Sequence, residues 1–252
     1  MNLKFLHGLL CLFAGSLTAI AGDFDQANEQ FRAGDFASAA AGYEKILKTD
    51  GPDAAVFYNL GNSYQRLGQF GPAILAYERA RLLTPRDQDL SVNLMLARKA
   101  ANVSGETGVY PPFDPVLNAL SRNEWAWLAG VAALFTGGLS AVGGAVRLPA
   151  GAVRRWVVGL VFFAGFCFVS GATALYLRRA EASRGVVLSD TAVIRLSPFE
   201  TADSVSNVRA GMILQLGGKS GDFYDVKASG TNLRGWLTAR DVEAISLEPA
   251  LR

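Results

Sequence analysis

The chain predicts a multidomain fold of α plus β: an N-terminal α-helical solenoid, a two-helix transmembrane hairpin and a small C-terminal β-barrel. Three observations carry this. Gly34 and Gly68, Phe36 and Phe70, Ala39 and Ala73, and Tyr43 and Tyr77 are like pairs, each 34 residues apart. Trp125 to Val146 and Trp156 to Leu177 are runs of 22 residues without a charge. From Gly185 onward, short β-rich runs alternate with turn residues. A fixed period of this size marks stacked supersecondary units. Roughly 20 apolar residues span a bilayer core. Short strands at close turn spacing suggest a small barrel.

Residues 1–21 come first. Lys4 lies early, an apolar run starts at Phe5, and Ala19-Ile20-Ala21 closes it. That is the pattern of a secretory signal with a small-residue cleavage site; an uncleaved anchor is the alternative. Either places the next segment outside the cytoplasm. Leu10 precedes Cys11 where a lipoprotein cysteine needs a small residue.

The solenoid is expected over 22–101. Its clearest unit has Phe57, Leu60, Tyr64 and Leu67 at helical spacing, a turn at Gly68, then Ala73, Tyr77 and Ala80 on a second helix. Pro85 stops that helix. Residues 54 to 87 thus resemble a tetratricopeptide repeat. Ala27, Gly34, Phe36, Ala39, Tyr43 and Ile46 resemble a weaker first copy. Asp89 to Ala101 reads as one more helix, with Leu90, Leu94 and Ala97 on one face, capping the stack. Asn28 and Asn62 share one repeat position, and Asn59 and Asn93 share another. The resemblance implies that these positions face the concave groove, where Asn side chains hold a bound peptide's backbone. Tyr58, Gln65 and Arg66 are candidates for the same groove. The alternative for each is a solvated helix surface.

Residues 102–120 read as a linker with Gly105, Gly108 and Pro111-Pro112-Phe113-Asp114-Pro115. A stiff spacer and a Pro-x-x-Pro ligand are its two readings. The hairpin follows over 121–179, with spans 125–146 and 156–177. Ser121 and Glu124 form a candidate capping box. Trp125, Trp127 and Trp156 stand at span ends, where indole prefers the interface. Arg147, Arg154 and Arg155 in the link place it in the cytoplasm by the positive-inside tendency, although Arg178, Arg179 and Arg184 weaken that charge argument. Gly137, Ala141 and Ala145, with Ser140 and Gly144, have the small-residue spacing that lets membrane helices pack.

In the final segment, 185–248, Val186 to Leu188, Val193 to Leu196, Met212 to Leu216 and Phe223 to Val226 read as strands. Gly217-Gly218 and Gly230-Thr231-Asn232 read as turns. Arg195, Ser197-Pro198, Gly211, Gly221-Asp222-Phe223-Tyr224-Asp225-Val226 and Gly235-Trp236 resemble a bacterial SH3-like domain, with Phe223 where Trp is frequent. The resemblance implies peptide or cell-wall binding, or a purely structural module. Tyr224 and Trp236 are the candidate groove residues, with core packing the alternative for Trp236.

The net charge is +2, and the excess of positive charge flanks the apolar spans. That argues for headgroup contact and against nucleic acid. His7 is the only His and lies in the leader; Cys167 lies within a span. Cys/His zinc sites and His-based triads are thereby excluded from the mature chain. No catalytic residue, metal or cofactor is expected. The whole order resembles the BatE-type proteins of the bacterial Bat aerotolerance group. The resemblance implies a non-enzymatic inner-membrane scaffold with two spans, both soluble domains periplasmic. Its implied partners are von Willebrand A-type membrane proteins and a MoxR-type AAA ATPase. A peptidoglycan-binding adaptor that recruits a wall enzyme is the alternative.

Overall fold

A computed structural model describes residues 22–103, 114–145, 151–228 and 233–247. The expected leader, most of the linker, part of the link between spans and the Gly230-Thr231-Asn232 turn lie outside these residues. The chain packs as two units. One holds the N-terminal helices together with the C-terminal sheet; the other holds the apolar helices.

In the first unit, five helices alternate: α1 (22–32), α2 (Phe36–Thr49), α3 (Ala54–Arg66), α4 (Phe70–Leu83) and α5 (Gln88–Ala100). Aspartates open three of them. Asp35 accepts from Ser38 N, Asp53 from Val56 N and Asp87 from Leu90 N, at 3.0–3.1 Å. Each satisfies one orphan donor of the first turn. Asp53 and Asp87 are themselves one repeat apart. The turns α1–α2 and α3–α4 pass through Gly34 (φ 83°) and Gly68 (φ 73°), a region that L side chains resist. The α3–α4 contact is close because Gly61 faces the Tyr77 ring: a Cβ at 61 would stand 2.5 Å from it. Ala39, Ala40, Tyr43, Ile46, Val56 and Leu60 bury one layer. Leu90, Leu94 and Ala97, the expected face of α5, are buried in the next.

The C-terminal strands are β1 (Arg184–Val187), β2 (Val193–Arg195), β3 (Ser204–Asn207), β4 (Ile213–Ser220), β5 (Phe223–Ala228), β6 (Arg234–Thr238) and β7 (Val242–Ala244). They form one antiparallel sheet in the order β3-β2-β6-β5-β4-β1-β7. Two expectations change. Gly217-Gly218 is not a turn: β4 continues to Ser220, and the register shifts between Leu216 and Lys219. The glycines absorb a bulge there, since a Cβ at 217 would press on the Asp225 carboxylate at 3.0 Å. The hairpin turns instead at Gly221 (φ 57°). β3 was invisible in the sequence pattern because Ser204-Val205-Ser206-Asn207 is a polar edge strand that pairs with β2 alone.

The sheet and the repeats share a core. Val186, Ile213 and Ile245 pack with Phe57, Ile74, Leu75 and Leu90. A Cβ on Gly71 of α4 would stand 2.7 Å from the carbonyl oxygens of Val187 and Leu188. Arg79 reaches Glu243 at 2.7 Å and the Ala244 carbonyl at 2.8 Å. The open end of the helix stack is therefore closed by a β-sheet as well as by α5.

The second unit holds a short α6 (Asp114–Leu117), α7 (Arg122–Ala145) and α8 (Ala152–Ala182). Arg122–Val142 and Ala152–Leu177 are long and apolar enough to cross a membrane. The capping box forms: Ser121 N donates to Glu124 Oε2 at 2.7 Å, and Glu124 N to Ser121 Oγ at 3.3 Å. Trp125 is buried, and its Nε1 donates to Leu117 O at 3.0 Å. Trp127 and Trp156 are exposed. The close helix crossing lies where Gly171 meets Ala129, a Cβ at 171 standing 2.9 Å from Ala129 Cβ. Gly137, Ser140 and Ala141 point away from it and are exposed.

Candidate peptide-binding groove

The two asparagine positions build a repeating ladder. Asn28 stands on α1, Asn59 and Asn62 on α3, Asn93 on α5. Asn28 Oδ1 accepts from the Tyr43 hydroxyl at 2.7 Å and from Asn59 Nδ2 at 3.3 Å. One repeat later, Asn62 Oδ1 lies 2.7 Å from the Tyr77 hydroxyl and accepts from Asn93 Nδ2 at 3.1 Å. The same three roles recur at the same offsets. Helices α1, α3 and α5 are thus tied to one another through side chains as well as through the apolar layer.

Tyr58 and Gln65 join the second rung. The Tyr58 hydroxyl accepts from Asn93 Nδ2 at 2.8 Å. Gln65 Oε1 lies 2.8 Å from the Tyr77 hydroxyl, whose single proton serves one of its two neighbours at a time. Burial pushes the Tyr43 and Tyr77 hydroxyls up from their ordinary range. They therefore keep the proton that the asparagine oxygens require. Arg66 is exposed beyond the ladder, its guanidinium 5.5 Å from the centre of the Phe36 ring.

The structure thus places six of the seven proposed groove residues in two successive hydrogen-bonded rungs, Asn28 and Asn59 in the first and Tyr58, Asn62, Gln65 and Asn93 in the second, and leaves Arg66 outside both. Their side chains are half-buried rather than freely solvated. Among the described residues, each asparagine pair retains unused capacity. Asn28 and Asn62 spend their oxygens and keep their Nδ2 donors; Asn59 and Asn93 spend a donor and keep Oδ1. Donors and acceptors therefore alternate along the ladder, at positions fixed by their internal partners. An extended backbone presents the complementary alternation.

Sequence reasoning paired these asparagines by register and missed Tyr43 and Tyr77 as their hydrogen-bond partners. The shared spacing was the available signal: Tyr43 follows Asn28 by the same interval as Tyr77 follows Asn62.

The second candidate pair is not brought together. Tyr224 stands opposite Leu237 and Trp236 opposite Asp225, so the two aromatics project from opposite faces of the sheet. Leu237 and Val226 fill the core beside Tyr224. Trp236 is half-buried on the other face and is not part of that core. Tyr224 carries Lys219 over its ring at 5.6 Å.

Residues 54–87 match the family model of the tetratricopeptide repeat. No curated protein matches the chain.

Proposed function

We propose that this chain is a non-enzymatic adaptor of the bacterial inner membrane that holds a partner polypeptide in its repeat groove. The single observation that carries the reading is the asparagine–tyrosine ladder, a preorganised row of unused amide donors and acceptors on a repeat module. Repeats of this family bind proteins or peptides, and fixed amides favour binding because little side-chain freedom is lost on contact. Helices α7 and α8 support an anchor by length and composition. Both soluble segments would then stand on the periplasmic side. The SH3-like reading of 185–248 adds a second contact, and two weak contacts on one anchor combine by effective concentration. The Bat-type envelope complex is the assembly that this order of segments fits.

The test is photo-cross-linking in native membranes. A photoreactive phenylalanine analogue is placed at Tyr58 or Arg66, and at Ala41 on the exposed side of α2 as the control. The groove positions are expected to capture a polypeptide that position 41 does not. Mass spectrometry that finds von Willebrand A-type proteins and a MoxR-type ATPase supports the Bat-type assembly. Wall enzymes or muropeptides would move the assignment to the cell-wall adaptor. Equal capture at all three positions, or none, would sink the groove.

A further inference from the structure

A second cleft lies away from the ladder, between the repeats and the sheet edge. Its volume is about 1020 Å³, at the upper end of small-ligand pockets. Phe57, Leu60 and Leu75 of the repeats form an apolar floor, and the far wall is the strand β7 with Leu247. None of the four ladder asparagines lines it.

The far wall is an unpaired strand edge. β7 ends the sheet order and pairs with β1 alone. Leu188 N donates to Asp241 O and Ile245 N to Arg184 O, so residues 241, 243 and 245 turn their backbone groups toward β1. By the alternation of an antiparallel ladder, Val242 and Ala244 turn theirs outward. The bond from Arg79 to Ala244 O, on the side away from β1, agrees with this. The outward N–H groups of Val242 and Ala244 have no strand beyond them. Arg79 adds a second vacancy: its Nε is a buried donor that lacks an acceptor among the described residues.

The mouth is electrically biased. Glu44 is engaged by the Tyr64 hydroxyl and Glu243 by Arg79. Lys48 and Lys219, on the repeat and sheet sides, have no anionic partner among the described residues. An occupant that completes this cleft brings backbone acceptors and donors to β7, apolar side chains to the floor and carboxylates to the lysines.

We infer that this cleft binds an extended peptide segment combining apolar and acidic residues, added as a strand to the free edge of β7. Strand addition draws affinity from main-chain hydrogen bonds and specificity from alternate side chains. The site is separate from the repeat groove and gives the adaptor a second peptide contact on the same compact unit.

The test uses the full chain in lipid nanodiscs and a pool of blocked heptapeptides that alternate Leu, Val or Phe with Glu. The same pool with Lys in place of Glu is the comparison. The acidic pool is expected to bind and to slow amide hydrogen exchange at Val242 and Ala244. K48E/K219E, a double change at two exposed positions, is expected to weaken that binding about tenfold and to favour the Lys pool. A244P removes the outward donor yet leaves the bonds to β1, as proline is tolerated on an edge; it is expected to lose about tenfold as well. Equal binding of both pools, binding unchanged in K48E/K219E, or unchanged exchange at Val242 and Ala244 would each overturn the proposal.

Discussion

Glu78 is fully buried on α4, and its carboxylate is surrounded by arginine. Arg81 reaches it at 2.7 Å, Arg98 pairs with its other oxygen, and the charge of Arg184 acts from the start of β1. Burial alone would raise this acid. The guanidinium groups outweigh burial and hold it at about 2, against an ordinary 4.5. The folded value lies below the unfolded one, so the stabilisation is complete above about pH 4.5 and fades as pH falls toward 2. E78Q removes the buried carboxylate that Arg98 pairs with and is expected to cost about 3–5 kcal/mol at neutral pH. Chemical denaturation checks this, and the variant's stability should be flatter than wild type between pH 4.5 and 2. Wild-type stability would mean that the arginines find other partners. The sequence hides this residue. Glu78 and Arg81 read as an ordinary exposed i,i+3 pair, and Arg184 arrives from beyond both apolar helices. The ladder was more legible, because its asparagines repeat in register, while the tyrosines that fix them lay hidden among positions explained by packing.

Elements were read well where periodicity was strong and poorly where a contact decided the outcome. The 34-residue register placed α2 to α5 and their buried faces, because local amphipathicity and tertiary packing point the same way. The Gly217-Gly218 pair carried a turn signal that pairing with β5 overrode. β3 carried no signal, since an edge strand needs no apolar face. The apolar helices show the same division. Their length and lack of charge were plain, yet the small residues at the close crossing are Gly171 and Ala129, not the spaced set around Gly137. Small residues are frequent in such helices, so spacing alone does not select the contact. G171L forces a side chain into Ala129 and is expected to destabilise the hairpin by about 1–3 kcal/mol. G137L points into open space, with nothing within 4 Å of its Cβ, and is expected to be neutral. Engineered-cysteine cross-linking between α7 and α8 in detergent reads both. The reverse order would place the crossing at the Gly137 side.

At the scale of the whole molecule, the repeats and the sheet are one folding unit although the apolar hairpin separates them in sequence. Short tetratricopeptide arrays need their open ends shielded, and here the sheet contributes to that shield. Ile74 is fully buried in the layer that α4, α5, β1 and β4 share. Nothing in the sequence announces this, because each segment has its own periodicity and the contact joins residues from opposite ends of the chain. The arrangement predicts cooperative unfolding. Truncating Ile74 to Ala removes packing from both partners and is expected to cost about 2–5 kcal/mol. The loss should appear equally in helix and sheet. Trp236 is the one tryptophan outside the apolar helices, so with Trp125, Trp127 and Trp156 changed to Phe its fluorescence reports the sheet alone. Circular dichroism at the helical band follows the repeats in the same sample, over a background set by the apolar helices. For a shared core, the two denaturation curves coincide in wild type and shift together in I74A. Separate midpoints, or a shift confined to the helical signal, would mean that the sheet is an independent domain resting on the repeats. The cleft at β7 would then lose the fixed spacing between its walls on which strand addition depends.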